Sequence, residues 1–187
     1  MLNFIAPAAL ILTILLSLIV ILVLVFIFFY TKIKQGEAII RTGIGGTRVI
    51  SSGGLLIVPV LHRKETVDLT IKRVDVNRLS DEALITQDNS RIELKASFYI
   101  RVNRAFKDIE NVAIAFGASR TFSLEEVKNL FEPKLVEILK YVTKENHSEE
   151  ILGNPKKFKM NLLKCIGQDI NGFLIDDCAI YDIQKLK

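Results

Sequence analysis

Glycines and arginines crowd one stretch shortly after the apolar N-terminus. Residues 41–54, RTGIGGTRVISSGG, hold five of the chain's ten glycines together with Arg41 and Arg48. Glycine-rich loops beside cationic side chains are typical of phosphate-binding sites, because backbone N–H groups and a helix N-terminus together cradle the anion. The stretch therefore raises the hypothesis of a nucleotide-binding loop.

The spacing excludes both common phosphate-loop motifs. A Walker loop requires a Gly-Lys pair, which the chain lacks. The dinucleotide motif requires glycine at three places, but Arg48 stands at the third place counted from Gly43. We therefore predict no nucleotide and no cofactor here, and interpret the stretch as tight turns between strands. The structural turn residues are Gly43, Gly45, Gly46, Gly53, Gly54 and Pro59.

The other reactive residue types show no catalytic or metal-binding spacing. His62 follows an apolar run and His147 lies in a polar connector, and neither stands in a triad-like arrangement. Acidic residues occur as sequence neighbours, whose side chains point apart on a helix or strand. The chain has no Cys-x-x-Cys pair, and the apolar neighbours of Cys165 and Cys178 predict two buried, reduced thiols. We predict no metal site and no enzymatic activity.

Charge and length narrow the class of partner. The chain has 187 residues and a net charge of +4, and its first 31 residues carry no charged side chain. Residues 32–187 are about the size of one ordinary domain. The mild positive charge suits a membrane surface or a neutral partner equally well. The chain has no basic stripe interleaved with exposed aromatic residues, so we do not predict nucleic acid as a partner.

Residues 8–29 predict a membrane-spanning helix. Eighteen of these 22 residues are Leu, Ile, Val or Phe, and each favours insertion near the bilayer centre by about 0.3–0.6 kcal/mol. The helix would be about 33 Å long, enough to cross a hydrocarbon core of about 30 Å. A cleaved signal peptide is the alternative, but the stretch has no basic start and no small-residue cleavage site. We assign residues 1–31 to an uncleaved anchor.

Charge on either side of the span predicts its orientation. No Lys or Arg precedes the span, whereas four cations follow it closely. The positive-inside rule then places the N-terminus outside and the domain in the cytoplasm, at the cell (inner) membrane. Ala9, Thr13 and Ser17 recur every four residues and form a candidate helix–helix face. The four cations, which are candidates for contact with the membrane surface, are Lys32, Lys34, Arg41 and Arg48.

After the anchor the apolar period changes to that of strands. We predict short strands over 37–42, 47–51 and 55–60. The alternation over 66–71 predicts a further strand, with a bulge near Lys72 and Arg73 where the phase changes. Residues 91–103 alternate strictly between apolar and polar side chains, which predicts a long antiparallel strand with one wet face.

Helical spacing then replaces the alternation. Residues 105–117 predict a helix that ends at Gly117, and Ser123 with Glu126 forms a capping box before the next apolar stripe. Asn154 and Pro155 predict the start of a third helix that ends at Gly172, and a strand follows over 173–183. Strands over 32–103, and then helices and a final strand over 104–187, predict an α+β domain.

Three stretches carry a resemblance to a known family. They are EAIIRTGIGGTRVISSGGLLIVPVLH, LITQDNSRIELKASFYIRV and NGFLIDDCAIYDI. With the anchor before them, they resemble the stomatin/prohibitin/flotillin (SPFH, band 7) family, and most closely its bacterial flotillin-like branch. In that branch a strand, a Gly-Gly hairpin, a GG…P turn and a threonine-aspartate turn, here Thr86 and Asp88, recur in this order. The resemblance covers roughly residues 32–184.

The resemblance implies a non-enzymatic scaffold at the lipid bilayer. Similar proteins form homo-oligomers that gather lipids and client membrane proteins, in some branches a membrane protease, into microdomains. It also implies that the glycine-rich strands lie next to the bilayer and that a long Ala/Glu-rich coiled coil follows the domain. Because no heptads occur before Lys187, two interpretations stay open: part of a longer chain, or a short member of the family. The alternative function is that of a membrane-tethered adaptor for one partner, such as a membrane protease.

Overall fold

The computed structural model describes residues 2–167 and 170–186, with side chains from residue 10 onward. The chain begins with helix α1 (Leu2–Phe29), in which every side chain from Leu10 to Phe28 is exposed. The stretch Leu10–Phe29 has a mean hydropathy of 3.5 and is long and apolar enough to cross a membrane. A helix that is hydrophobic all round requires lipid or protein around it. The predicted span therefore has the exposure that a membrane anchor needs.

A ribbon and a small antiparallel sheet follow α1. Strand β1 (Tyr30–Lys32) pairs with β4 (Gly54–Leu56) to form the ribbon. Strand β2 (Glu37–Gly43) lies between β3 (Arg48–Ile50) and β5 (His62–Asp68) in the small sheet. Alternate residues of β2 point to opposite faces of this sheet.

The two faces of β2 contact different clusters. Ile39 packs with Leu55 and Ile57 beside the ribbon, whereas Ala38 and Ile40 belong to the main core. The ribbon thus lies on one face of the small sheet, and the rest of the domain lies on the other.

A larger sheet is built around β8 (Arg91–Val102), the strand that the strict alternation predicts. Strands β6 (Lys72–Arg78) and β7 (Leu84–Ile85) pair with β8 along one edge, and β9 (Phe173–Lys185) pairs along the other. The side chains on the inward face of β8 are all buried: Ile92, Leu94, Ala96, Phe98, Ile100 and Val102.

Helices cover that inward face. Helix α2 (Phe106–Val112) continues as a π-helical turn to Gly117 and a 3₁₀ turn over Ala118–Phe122. Helix α3 (Leu124–Lys144) begins after Ser123, and it packs on the sheet through buried side chains that include Phe131. The fold class α+β is confirmed.

Two shorter helices and a turn complete the layer. Helix α4 (Ser148–Gly153) precedes α5 (Pro155–Ile166), whose first turn is capped by the Asn154 side chain accepting a hydrogen bond from the Lys157 N–H. Sequence reasoning missed α4, because its six residues lack a readable apolar period and the segment resembles a polar connector. Helix α5 ends at Ile166, with Gly167 as its C-cap, so the prediction that it ends at Gly172 is wrong.

Gly172 does not end a helix, as predicted, but lies in a turn. It lies in the turn before β9 with φ of +90°, and a Cβ there would lie 2.6 Å from the Asp108 backbone oxygen. The glycine allows close contact between two segments, which looks the same in sequence as a helix stop.

Two strand predictions are also wrong in part. The predicted strand 55–60 ends at Leu56, because Pro59 and its neighbours form a turn. The run 66–71 stops at Asp68, and Ile71 is exposed instead of facing the core. The phase change near Lys72 is therefore not a bulge: it separates β5 and β6, which belong to different sheets.

One cysteine prediction fails as well. Cys178 is buried in β9, but Cys165 is exposed on α5. The apolar neighbours of Cys165 in sequence point into the core from the other side of the helix, where Leu162 and Ile166 are buried.

Candidate membrane-contact surface

The chain leaves α1 and at once becomes part of the ribbon. Tyr30 pairs with Leu56, and the Ile57 N–H donates a hydrogen bond of 3.0 Å to the Phe29 carbonyl oxygen. The end of α1 is therefore fixed against the segment that follows β4.

Two turns lie beside this end of α1. The first turn connects β2 to β3 and contains Ile44, and the second runs from Val58 to Leu61. The Ile44 N–H donates to the Leu61 carbonyl oxygen at 3.3 Å, which joins the turns. The second turn starts one residue after Ile57, so both turns project near the point where the apolar helix ends.

The turns expose apolar side chains. Val60 is 91% exposed, Ile44 is 67% exposed and Leu61 is 45% exposed. Pro59 stands at the second position of the second turn, where its fixed φ favours the observed hydrogen bond from the Leu61 N–H to the Val58 carbonyl oxygen. A cluster of exposed apolar residues next to an apolar helix is typical of a surface that meets a membrane or another protein.

His62 joins the two turns through its ring. Nδ1 accepts a hydrogen bond from the Val58 N–H at 3.2 Å, and Nε2 lies 3.2 Å from the Ile44 carbonyl oxygen. Because Nδ1 is the acceptor, the neutral ring carries its proton on Nε2 and donates it to that carbonyl. The ring thus fixes the relative positions of the two apolar turns.

Two glycines make the arrangement sterically possible. Gly43 has φ of +129°, and a Cβ there would collide with the Leu61 backbone oxygen. At Gly54 a Cβ would lie 2.9 Å from the Thr31 backbone oxygen. Only glycine allows β2 to approach the second turn and β4 to approach β1 this closely.

Comparison with known proteins identifies the domain. The family model described as "SPFH domain / Band 7 family" matches residues 31–184. The chain belongs to the SPFH domain/Band 7 family. It is 25% identical over 158 residues to the Flotillin family inner membrane protein YqiK of Escherichia coli (strain K12), an alignment that covers 83% of this chain and 28% of that protein.

A second relative is also a flotillin family inner membrane protein and has the same identity to this chain. The chain is 25% identical over 162 residues to the Flotillin family inner membrane protein sll1021 of Synechocystis sp., covering 84% of this chain and 24% of the relative. The chain thus spans about a quarter of the length of these curated relatives. The matched residues contain every strand and helix of the SPFH domain after α1, apart from the first residue of β1 and the last of β9.

The SPFH domain places the four predicted cations at different distances from α1. Lys32 ends β1, and Lys34 follows it on the path that leads away from the anchor. Arg41 and Arg48 face each other on neighbouring strands, close to the apolar turns. Arg41 and Arg48 thus stand on the two strands that the first apolar turn connects.

The remaining predicted site residues lie in turns and in α1. Gly45, Gly46 and Gly53 have positive φ angles in the exposed turns that follow β2 and β3. In α1, the hydroxyls of Thr13 and Ser17 donate to backbone oxygens three residues earlier. The side chain of Ala9 lies outside the described residues.

Sequence reasoning missed the residues that define the surface. Ile44 sits in a segment predicted as a glycine turn and Val60 in a predicted strand. Leu61 and His62 follow that strand, and the sequence indicates of His62 only that it stands in no triad-like arrangement. Their shared location depends on the pairing of β1 with β4, which brings residues 56 and 57 back to the end of α1. No local pattern signals a contact of that kind.

Proposed function

We propose that the chain is a non-enzymatic, membrane-anchored scaffold of the flotillin type. In this proposal α1 spans the cell (inner) membrane with its N-terminus outside, and the SPFH domain lies in the cytoplasm. Copies of the chain self-associate and gather lipids and client membrane proteins into a microdomain. Membership of the SPFH family supports this function, as do relatives that are named inner membrane proteins.

The location of the apolar turns carries the proposal. Ile44, Val60 and Leu61 are exposed beside the end of a helix that is itself apolar and uncovered. Apolar side chains at the tip, with cations behind them, suit the boundary between acyl chains and headgroups. The domain would therefore rest on the bilayer surface instead of hanging free from its anchor.

A single tryptophan tests this contact, because the chain has none of its own. The Val60→Trp chain, reconstituted in bilayers whose acyl chains are brominated, should lose much of its tryptophan fluorescence. A matched control is Tyr141→Trp, at an exposed site of α3, which should keep its fluorescence. An unquenched tryptophan at position 60 would contradict the membrane contact.

Self-association is tested on the detergent-solubilised chain by sedimentation. A scaffold should sediment as a large homo-oligomer and form patches in the membrane. A chain that sediments only as a monomer and spreads evenly would contradict the scaffold. The A9L/T13L/S17L variant tests whether the candidate helix–helix face of α1 contributes to self-association. Normal assembly of that variant would exclude such a contribution.

Affinity capture after mild crosslinking separates the scaffold from the alternative adaptor. The scaffold should recover mainly other copies of the same chain. An adaptor should recover one membrane-protein partner, such as a membrane protease, in a fixed ratio. Recovery of that kind, with no self-crosslinks, would favour the adaptor.

A further inference from the structure

Three cations form a row across the small sheet, just behind the apolar turns. Arg41 of β2 lies directly opposite Arg48 of β3 on one side and Lys64 of β5 on the other. Directly opposite residues of antiparallel strands share a face, with Cβ atoms about 4.5–5.5 Å apart. The row therefore projects from one face, which is also the face on which Ile39 contacts the ribbon.

Within the described residues, no acid lies next to this row on its face. Glu37 and Asp68 share the face but form the last pair at the far end of the two strands, and Asp68 is paired with Lys72 at 2.5 Å. Glu65 projects from the opposite face and pairs with Arg63 at 3.3 Å. Like charges directly opposite each other destabilise a sheet. The three cations are therefore without a paired acid among the described residues of this face, which makes the row a candidate site for an anion.

Arg41 also has an unused donor. Its Nε is buried and has no hydrogen-bond partner among the described atoms. A buried N–H without an acceptor is costly, and such groups in proteins are nearly always paired. Arg48 and Lys64 are exposed, so an acceptor can reach the row from solvent or from a membrane.

The position of the row matches the depth of lipid phosphates. Arg41 lies two residues from Gly43, where the first apolar turn begins, and this is about 7 Å along a strand. The headgroup layer on each side of a bilayer is about 5–8 Å thick. If the turns touch the edge of the hydrocarbon core, the three cations lie among the phosphates.

We propose that Arg41, Arg48 and Lys64 form a binding site for the phosphate of an anionic lipid headgroup. Guanidinium groups pair with phosphate oxygens in a bidentate manner, and the lysine adds a third positive charge. The site rests on the proposed membrane contact and adds a lipid class to it: anionic phospholipid accumulates around the anchor. The row lies at the level of the lipid phosphates, and its positive charge favours anionic lipids over zwitterionic ones.

The test compares two brominated lipids around the same reporter. The Val60→Trp chain is reconstituted in mixed bilayers in which either phosphatidylcholine or phosphatidylglycerol carries the bromine, at equal mole fraction. If the row binds lipid phosphate, brominated phosphatidylglycerol should quench the tryptophan at least about threefold more efficiently than brominated phosphatidylcholine. Equal quenching by the two lipids would overturn the site while leaving the membrane contact intact. If neither lipid quenches, the membrane contact itself is wrong.

A charge-matched control separates a site from general attraction. In the Val60→Trp background, R41Q/R48Q/K64Q should reduce the quenching ratio to about one. The K156Q/K157Q/K164Q variant removes the same charge from α5, which packs on β9, and should keep the ratio. An equal loss in both variants would overturn the site. Because like-charge repulsion is removed, the first variant should unfold in zwitterionic detergent at the same or a higher temperature than the parent.

Inorganic phosphate distinguishes a lipid from a free anion. Replacing chloride by phosphate at constant ionic strength should leave the quenching ratio unchanged. A ratio that collapses in phosphate would show that free phosphate displaces the lipid from the row, and would overturn a lipid headgroup as the preferred occupant. The ratio measured on the parent chain is decisive even if the triple variant does not fold.

Discussion

Asp88 lies in the turn between β7 and β8, and its carboxylate binds the start of a helix 60 residues further along the chain. Oδ1 accepts hydrogen bonds from the Thr86 hydroxyl at 2.6 Å and the Ser148 N–H at 2.9 Å. Oδ2 accepts from the hydroxyls of Ser90 and Ser148, each at 2.7 Å. These donors, the Thr86 hydroxyl first, hold the pKa of the Asp88 carboxyl well below its usual range.

The stabilisation that Asp88 provides should disappear in acid. Because its folded pKa lies below the unfolded value of about 3.9, the carboxylate stabilises the fold above about pH 4 and loses this effect progressively as the pH falls further. Asp88→Asn should therefore lower Tm at pH 7 and flatten the decline in Tm between pH 5 and pH 2. Thermal unfolding of the detergent-solubilised chain measures both quantities.

Asp81→Asn is the matched control for this prediction. Its exposed carboxylate has no hydrogen-bond partner among the residues that the structure describes, so the parent Tm and its pH profile should persist. An equal effect of the two substitutions would mean that overall charge, not the hydrogen bonds of Asp88, is responsible.

Sequence reasoning reached only half of the Asp88 site. The resemblance predicts a turn at Thr86 and Asp88. The structure has this turn, and the hydroxyls of Thr86 and Ser90 donate hydrogen bonds to Asp88 within it. The donors at Ser148 could not be predicted, because helix α4 gave no signal and the contact spans 60 residues. Local turn chemistry can be predicted from residue types, whereas a distant partner depends on the packing of the whole sheet.

Among the elements, strands with strict alternation were predicted well and short ones poorly. Strand β8 matches its prediction because each inward side chain is buried under helices. Strand β4 is three residues long and is defined by its pairing with β1, so its end at Leu56 has no local signal. At Leu69–Ile71 the chain passes from one sheet to the other, and apolar residues there look like a continuing strand.

The β2–β3 hairpin gives a prediction that separates crowding from conformational strain. At Gly46 (φ +81°) no atom lies within 4 Å of an added Cβ, so Gly46→Ala should cost only the strain of a left-handed residue, about 1–2 kcal/mol. Gly43→Ala should cost more, because the Cβ would also collide with the backbone of the second turn. Chemical denaturation of the solubilised chain compares the two free energies of unfolding. Equal losses would show that the two turns separate easily. That result would contradict the conclusion that His62 holds them together.

For the whole molecule, composition and period were enough to predict an apolar anchor followed by an α+β domain. They could not predict that two turns return to the end of the anchor. That arrangement follows from β1 pairing with β4 and from the Ile57 hydrogen bond to Phe29. The candidate membrane surface is therefore a property of the tertiary structure, although each of its residues is visible in the sequence.

The orientation of the molecule can be tested with its own cysteines. Cys165 is exposed on α5, whereas burial raises the pKa of the Cys178 thiol to about 12. Since the thiolate is the reactive form, only Cys165 should react with a maleimide near neutral pH. The native chain thus carries one reporter in its SPFH domain.

A cytoplasmic SPFH domain predicts that a membrane-impermeant maleimide leaves intact spheroplasts unlabelled and adds one equivalent after permeabilisation. Cys165→Ser should abolish that labelling, which would assign it to Cys165. Asn3→Cys in the Cys165→Ser background should react in intact spheroplasts, because the N-terminus is expected outside. Labelling of Cys165 before permeabilisation would reverse the orientation, and the cations behind the apolar turns would then face the outer leaflet.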